Sequence, residues 1–207
     1  MSKSLQNTIQ ELEDLFEVFN SKYFEGNLSK PVITVSPDMT KGAYGWCTAY
    51  KAWKSVNGAD GGYYEINICA EYLSRTFEEV AGTMLHEMIH LYNLENGVKD
   101  TSRGETYHNK RFKEAAEKHG LIVENTEQYG WVKTSLNDES REEVAGYMEF
   151  IGKNTFDLFR EAIKEPKKTG KSNSRKYVCP WCGLIVRATK EVKVICFDCG
   201  ELLIEAK

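Results

Sequence analysis

No stretch of the chain approaches the run of about 18 apolar residues that a bilayer-spanning helix needs. The opening segment MSKSLQNTIQELEDLF also lacks the apolar centre of a secretory signal. A membrane or exported protein is therefore not expected, and the expected location is the cytoplasm. Strong charge is absent too: the net balance is −4, which gives no global reason to expect nucleic acid. No internal repeat is visible, so a repeat architecture is not expected. Histidine is scarce, with four in the chain, so each one can be weighed individually.

What is present is 207 residues with 41% hydrophobic content, enough for one domain with a real core and a small appendage. Six cysteines are enough for disulfides. Four of them, however, form two CxxC pairs near the C-terminus, a spacing that favours metal thiolates in an intracellular chain. Cys47 and Cys69 read as buried thiols rather than a bridge. Charge is unevenly spread, with six Lys or Arg against one Glu between residues 164 and 176.

Leu5, Ile9, Leu12, Phe16 and Phe19 recur at helical spacing and predict a helix over residues 5–19, with a turn over 20–30. Short β-rich runs follow at VITVS, 42–48 and 63–69, the last two separated by a Gly-rich turn at 57–62. They suggest a small, antiparallel sheet beside helices, and an open edge of the 63–69 strand would hold an extended substrate. Thr76 followed by Glu79 is a capping box, so a second helix begins there and ends before Gly97. A third runs from about Asn109 to His119, and an amphipathic segment extends over 142–164, interrupted by Gly152 and Asn154. His119, beside a helix-ending glycine, reads as a cationic or capping residue.

The second helix contains His86, Glu87, Met88, Ile89 and His90, an HExxH sequence. Imidazoles four positions apart on a helix project toward one point, as a tetrahedral zinc with Zn–N distances of about 2.0–2.1 Å requires. Glu87 is rotated away from the ligand pair and can take a proton from a water that zinc activates, its pKa lowered toward about 7. A third protein ligand must come from elsewhere. Asn93 and Asn96 stand where the metzincin pattern needs glycine and histidine, which excludes that class. His108 at the entrance of the third helix is the strongest candidate, returned by an Ω-like connection, with Glu105, Glu114 and Glu117 as competitors. Tyr44, Tyr107 and Arg103 are candidate electrophiles for an oxyanion, each also explicable as structural.

Cys179, Cys182, Cys196 and Cys199 form two CxxC knuckles separated by residues 183–195, flanking β-rich runs at 184–188 and 192–195. Two such knuckles at the ends of a hairpin surround one structural zinc with four thiolates. A redox CxxC would need a thioredoxin-like βαβ context, which is absent. Trp181, Phe197 and Arg187 read as contacts or as packing.

On these residues the chain resembles the SprT-like family of zinc metallopeptidases, to which the Spartan DNA–protein crosslink protease belongs. Asn20, Tyr23, Phe24, Gly26, Leu28 and Pro31 resemble the family's opening helix and first strand, and residues 84–90 its active helix. Residues 107–112 resemble its HGxxF segment, with Asn109 where the family has glycine, and the resemblance implies that His108 is the third ligand. It covers residues 5–135 and 177–205 and implies a compact α+β zincin fold, with DNA-attached proteins as the substrates of the Spartan branch.

The resulting expectation is a zincin-like metallopeptidase domain of helices packed on a small sheet over residues 1–163. A basic linker over 164–176 and a four-cysteine β zinc ribbon over 177–207 complete it. The expected function is that of a zinc metalloendopeptidase with Glu87 as base. Its catalytic zinc sits on His86, His90 and His108, and its structural zinc on Cys179, Cys182, Cys196 and Cys199. Protein substrates, and DNA, especially single-stranded DNA, are the expected partners. The alternatives are a nucleic-acid- or protein-binding adaptor acting through the ribbon, and another zinc hydrolase.

Overall fold

The apolar stripe that opens the chain needs a surface to bury against, and in the computed structural model it finds one. The structure describes residues 4–38, 42–58, 61–162 and 174–206. Helix α1 (Leu5–Tyr23) is capped by the Ser4 side chain, which accepts from Asn7 N–H, and it buries Leu12, Leu15, Phe16 and Phe19 completely. Asn20 then clamps the following turn, its side chain bonding both the N–H and the C=O of Leu28 at 3.1 Å.

Strands β1 (Val32–Ser36), β2 (Gly45–Cys47) and β3 (Glu65–Cys69) form a sheet of order β1-β3-β2. β1 runs parallel to β3 and β2 antiparallel to it, so the sheet is mixed rather than antiparallel. β3 is the middle strand with both edges paired, which removes it as a docking edge; among the described residues the outer strands are β1 and β2. Ile66 and Ile68 of β3 are fully buried.

After a 3-10 turn at Ala70–Ser74 comes α2 (Phe77–Glu95), whose capping box is formed as expected: Thr76 Oγ1 accepts from Glu79 N–H and Glu79 Oε2 accepts from Thr76 N–H. Asn96 caps its end and Gly97, at φ 66°, turns the chain away. This helix touches α1, the first sheet and most of the first unit's remaining elements, described next. Val80, Met84, Leu85, Met88, Ile89 and Leu91 are all fully buried around it.

The connection that leaves α2 is a short hairpin rather than an Ω-loop, with β4 (Thr101–Ser102) pairing antiparallel to β5 (Tyr107–His108). Helix α3 (Lys110–Lys118) follows, then a hairpin of β6 (Leu121–Thr126) and β7 (Gly130–Leu136) that the sequence pattern does not announce. These strands form a second sheet of order β4-β5-β7-β6.

Helix α4 (Asp138–Ile151) is capped by Asn137, whose side chain accepts from Ser140 N–H. It starts earlier than the amphipathic pattern over 142–164 suggests and stops at Gly152, left-handed at φ 67°. Beyond it the chain is not helical. Asn154 C=O accepts Phe77 N–H, Thr155 bridges to Thr76, and Phe156 stacks on Phe77 at 4.7 Å. Residues 163–164 of the expected segment lie outside the described residues.

The chain divides into two units, Met1–Ala162 and Ile163–Lys207. In the second, β8 (Arg175–Val178) lies between β10 (Ile204–Ala206) and β9 (Ile185–Ala188). Thus the 184–188 run pairs with a strand ahead of the first knuckle and not with 192–195, of which Ile195 makes one bridge to Leu202. Its buried apolar set is Tyr177, Cys179, Cys196 and Leu203. Such a core is too small to stabilise a fold unaided. Most of the expected basic linker, residues 164–173, lies outside the described residues.

The Phe77–Phe156 stack ties the end of the first unit to the start of α2. Phe77→Ala is expected to lower stability by about 3–5 kcal/mol, read as a fall in the urea midpoint at unchanged slope.

Candidate active site

A helix packed on most sides leaves little room for polar groups, and α2 places its histidines where it faces β5 and β7. His86 and His90, one turn apart, meet His108 from β5. His108 Nε2 lies 3.2 Å from His86 Nε2 and 3.0 Å from His90 Nε2. Beneath them the fully buried Phe112 ring sits 4.6 to 4.8 Å from each imidazole and forms an apolar floor.

The outer nitrogens are treated unequally. His86 Nδ1 bonds the Thr134 hydroxyl at 2.9 Å and His90 Nδ1–H donates to Asp100 Oδ2 at 2.7 Å, while Asn93 Nδ2 donates to the same oxygen at 3.0 Å. Among the described residues His108 Nδ1 has no hydrogen-bond partner. Burial, reinforced by the other two imidazoles, holds His86 well below the usual histidine range. Burial and His90 push His108 down to about 4. For His90 burial also acts downward, but the Asp100 carboxylate outweighs it and raises the ring.

These residues fit a zinc ion. Nitrogens on a tetrahedral ion with bonds of about 2.0–2.1 Å lie about 3.3 Å apart, close to the two separations of 3.2 and 3.0 Å. A single proton on His108 Nε2 can satisfy one neighbour at a time, whereas a dication satisfies three lone pairs together. Three protein donors also leave a fourth position for solvent or substrate.

Glu87, next to His86 but turned toward β2, is 5% exposed, and burial pushes its carboxyl up to about 7 against the opposing pull of His90 and the Cys47 N–H. β2 comes this close because residue 45 is glycine. A Cβ there would lie 2.7 Å from Asn67 O and 3.3 Å from Glu87 Oε1.

The model of the SprT-like family matches residues 12–129, more than half of the chain. The chain belongs to the SprT-like family. No curated protein and no solved structure matches it. Membership suggests a metallopeptidase-like function, and the matched span contains His86, Glu87, His90, Asp100 and His108. Among the described residues no helix is long and apolar enough to cross a membrane.

In this SprT-like chain the rival ligands Glu105, Glu114 and Glu117 are exposed, and none joins the histidine group. Asn109, at the family's glycine position, has φ −90°, so no left-handed turn is needed there. Instead its side chain caps α3 by accepting from Arg111 and Phe112 N–H and donates to Lys99 O. His119 does cap α3, but it is 4% exposed and stacks on Phe24 at 4.7 Å. Burial lowers its pKa, so it is not the cation the sequence allowed. Arg103 lies over the Tyr107 ring and Arg75 over Tyr44, engaging both candidate tyrosines in packing.

Sequence reasoning missed Asp100, Asn93, Thr134, Gly45 and Gly130. Asn93 carried one local signal, its position three residues after His90 on the same helix face. The others carry none. Gly130 sits at φ 71°, and a Cβ on it would meet the His108 carbonyl at 2.3 Å and the Tyr107 ring at 2.8 Å.

In the second unit Cys179, Cys182, Cys196 and Cys199 bring their sulfurs within 4.8 Å of one another. The two knuckles match. Gly183 N–H bonds Cys179 O and Gly200 N–H bonds Cys196 O, both glycines being left-handed at φ 75° and 70°. Backbone N–H groups led by that of Cys182 lower the Cys179 thiol to about 7, whereas the crowding Cys182 thiol, with burial, pushes Cys199 up to about 12. Four sulfurs this close cannot all ionise beside one another without a cation. The set fits a closed zinc site.

Gly130→Ala is expected to displace the His108 strand, abolish zinc binding at the histidines and lower the melting temperature. Gly104→Ala, equally left-handed at φ 67° but with open space around it, costs about 1–2 kcal/mol and keeps the zinc. Metal analysis with thermal melts of both variants separates the outcomes.

Proposed function

We propose that this chain is a zinc metalloendopeptidase, with His86, His90 and His108 holding a catalytic zinc and Glu87 acting as general base. The observation that carries the reading is the meeting of three imidazole nitrogens beside a buried carboxylate at an open sheet edge. Bound zinc would supply a Lewis acid for a peptide carbonyl and lower the pKa of a water to about 7.

The protein's own groups do the rest. Cys69 N–H bonds Tyr44 O and Thr48 N–H bonds Glu65 O, so alternate residues of β2 face β3. Gly45 and Cys47 therefore turn their backbone groups outward, where Cys47 N–H meets Glu87. Gly45 N–H and C=O and Cys47 C=O remain for an extended peptide, which would add to β2 as a strand. Such a peptide would pass Glu87 and the histidines. Glu87 takes the proton of the attacking water and returns it to the leaving amine nitrogen.

The four cysteines would hold a second, structural zinc. A specific observation extends the reading to DNA-associated protein substrates: the knuckle residues Trp181 and Phe197 are 82% and 99% exposed, and Lys176 and Arg187 are cross-strand partners on the ribbon sheet. Exposed aromatics and cations on one small unit suit single-stranded nucleic acid. The same surface would serve the alternative, an adaptor acting through its ribbon with little peptidase activity.

Glu87→Gln is expected to retain both zinc ions yet lose about 10²–10⁴-fold in cleavage of an unfolded protein, read by metal analysis and digestion; turnover at the wild-type rate would remove Glu87 as base, whereas no cleavage by the zinc-loaded wild type would favour the adaptor. Single-stranded DNA is expected to raise cleavage of a DNA-bound protein, and Trp181→Ala with Phe197→Ala to shrink that increment. Digestion with and without DNA measures both.

A further inference from the structure

We infer that Asp100, fixed in place by Asn93, is the positioning residue of the histidine site, orienting His90 through its carboxylate and placing His108 through its backbone carbonyl. The inference deepens the peptidase reading and rests on its premise that the three imidazoles hold a metal ion.

Asp100 is 6% exposed and Asn93 is 2% exposed. A carboxylate is seldom buried this far without partners, because removing its charge from water costs several kcal/mol. Here one oxygen, Oδ2, takes two donors, His90 Nδ1–H at 2.7 Å and Asn93 Nδ2 at 3.0 Å. Both donors stand on the same face of α2, one turn apart, so the helix itself grips the carboxylate. The grip keeps the His90 proton on Nδ1 and turns the Nε2 lone pair toward His86 and His108. A carboxylate behind a metal-binding imidazole also raises its basicity as a ligand.

The backbone of the same residue serves the third histidine. Asp100 C=O accepts the N–H of Asn109, immediately after His108, at 2.9 Å, and Asn109 Nδ2 donates to the neighbouring Lys99 C=O at 3.0 Å. His108 needs this. Its own Nδ1 has no partner among the described residues, so its ring is placed by backbone pairing with Thr101 and Gly130 and by the Asn109 link. Asp100 thus joins a helix-borne donor to the strand-borne one, while His86 is held separately by Thr134.

The test uses the full chain, stripped of metal and titrated with zinc against a chromophoric chelator. A His108→Ala variant identifies which step belongs to the cysteines. Asp100→Ala is expected to weaken zinc at the histidines by about 10- to 100-fold and leave the cysteine step unchanged. Asp100→Asn, which keeps an oxygen for His90 Nδ1–H, should recover part of the loss, and Asn93→Ala should lose less than Asp100→Ala. Melts of the metal-free variants are recorded alongside, because a merely structural Asp100 would lower stability but leave zinc affinity at its wild-type value in whatever folds. That result in Asp100→Ala, or in Asp100→Asn where alanine does not fold, overturns the inference. Failure of the underlying metal reading is seen earlier and separately, as uptake by the wild type of the cysteine-site zinc alone.

Discussion

Nitrogen lone pairs brought to 3.0 and 3.2 Å of one another repel, and the first unit is organised so that they cannot move apart. Two of the three rings are fixed by the spacing of a single helix, and that helix is the element around which the unit is packed. Eight fully buried apolar residues of α2 anchor it to its neighbours. The apolar burial they contribute, roughly 1.5–3 kcal/mol for each large side chain, offsets the cost of collecting imidazoles and a carboxylate out of water. Stability and site are therefore coupled: what keeps α2 straight and buried also keeps the donors convergent.

The two units answer the same need for metal-binding geometry in different ways. In the first, the histidine-bearing helix is set in a large apolar core, and three donors would leave a coordination position open on a bound ion. In the second, the buried set is four residues, two of them cysteines. Metal binding there would contribute directly to folding, and four thiolates would leave no position for chemistry. The matching left-handed glycines after each knuckle show the same backbone solution used twice.

Around the histidines the supporting contacts are of two kinds. Side-chain partners hold His86 and His90, whereas His108 depends on its short strand. That strand depends in turn on a glycine at position 130, because any side chain there would strike the His108 carbonyl. Close approach by β2 depends likewise on Gly45. The site is thus bounded by two glycines whose value lies in the absence of a side chain, with Glu87 beside the first and His108 beside the second.

Much of the first unit is legible in the chain because the signals are local. The capping box at Thr76 and Glu79, the stop at Gly97, and the i, i+4 spacing of His86 and His90 act within one or two helical turns, so neighbouring residues determine them. The knuckle spacing of the cysteines is local in the same way. The 121–136 hairpin is less legible, since β6 alternates in burial over only four residues, with apolar Ile122 on the exposed side, and β7 buries only its two ends. Contacts between distant segments were left to tertiary structure. It decided that His108, and not Glu105, Glu114 or Glu117, meets the helix pair; that Asp100 and Thr134 stand behind the rings; and that β2 rather than β3 has the open edge. The physical reason is that such contacts arise when separate elements bury their apolar faces together, and a residue's place in that packing leaves no pattern in its own neighbourhood.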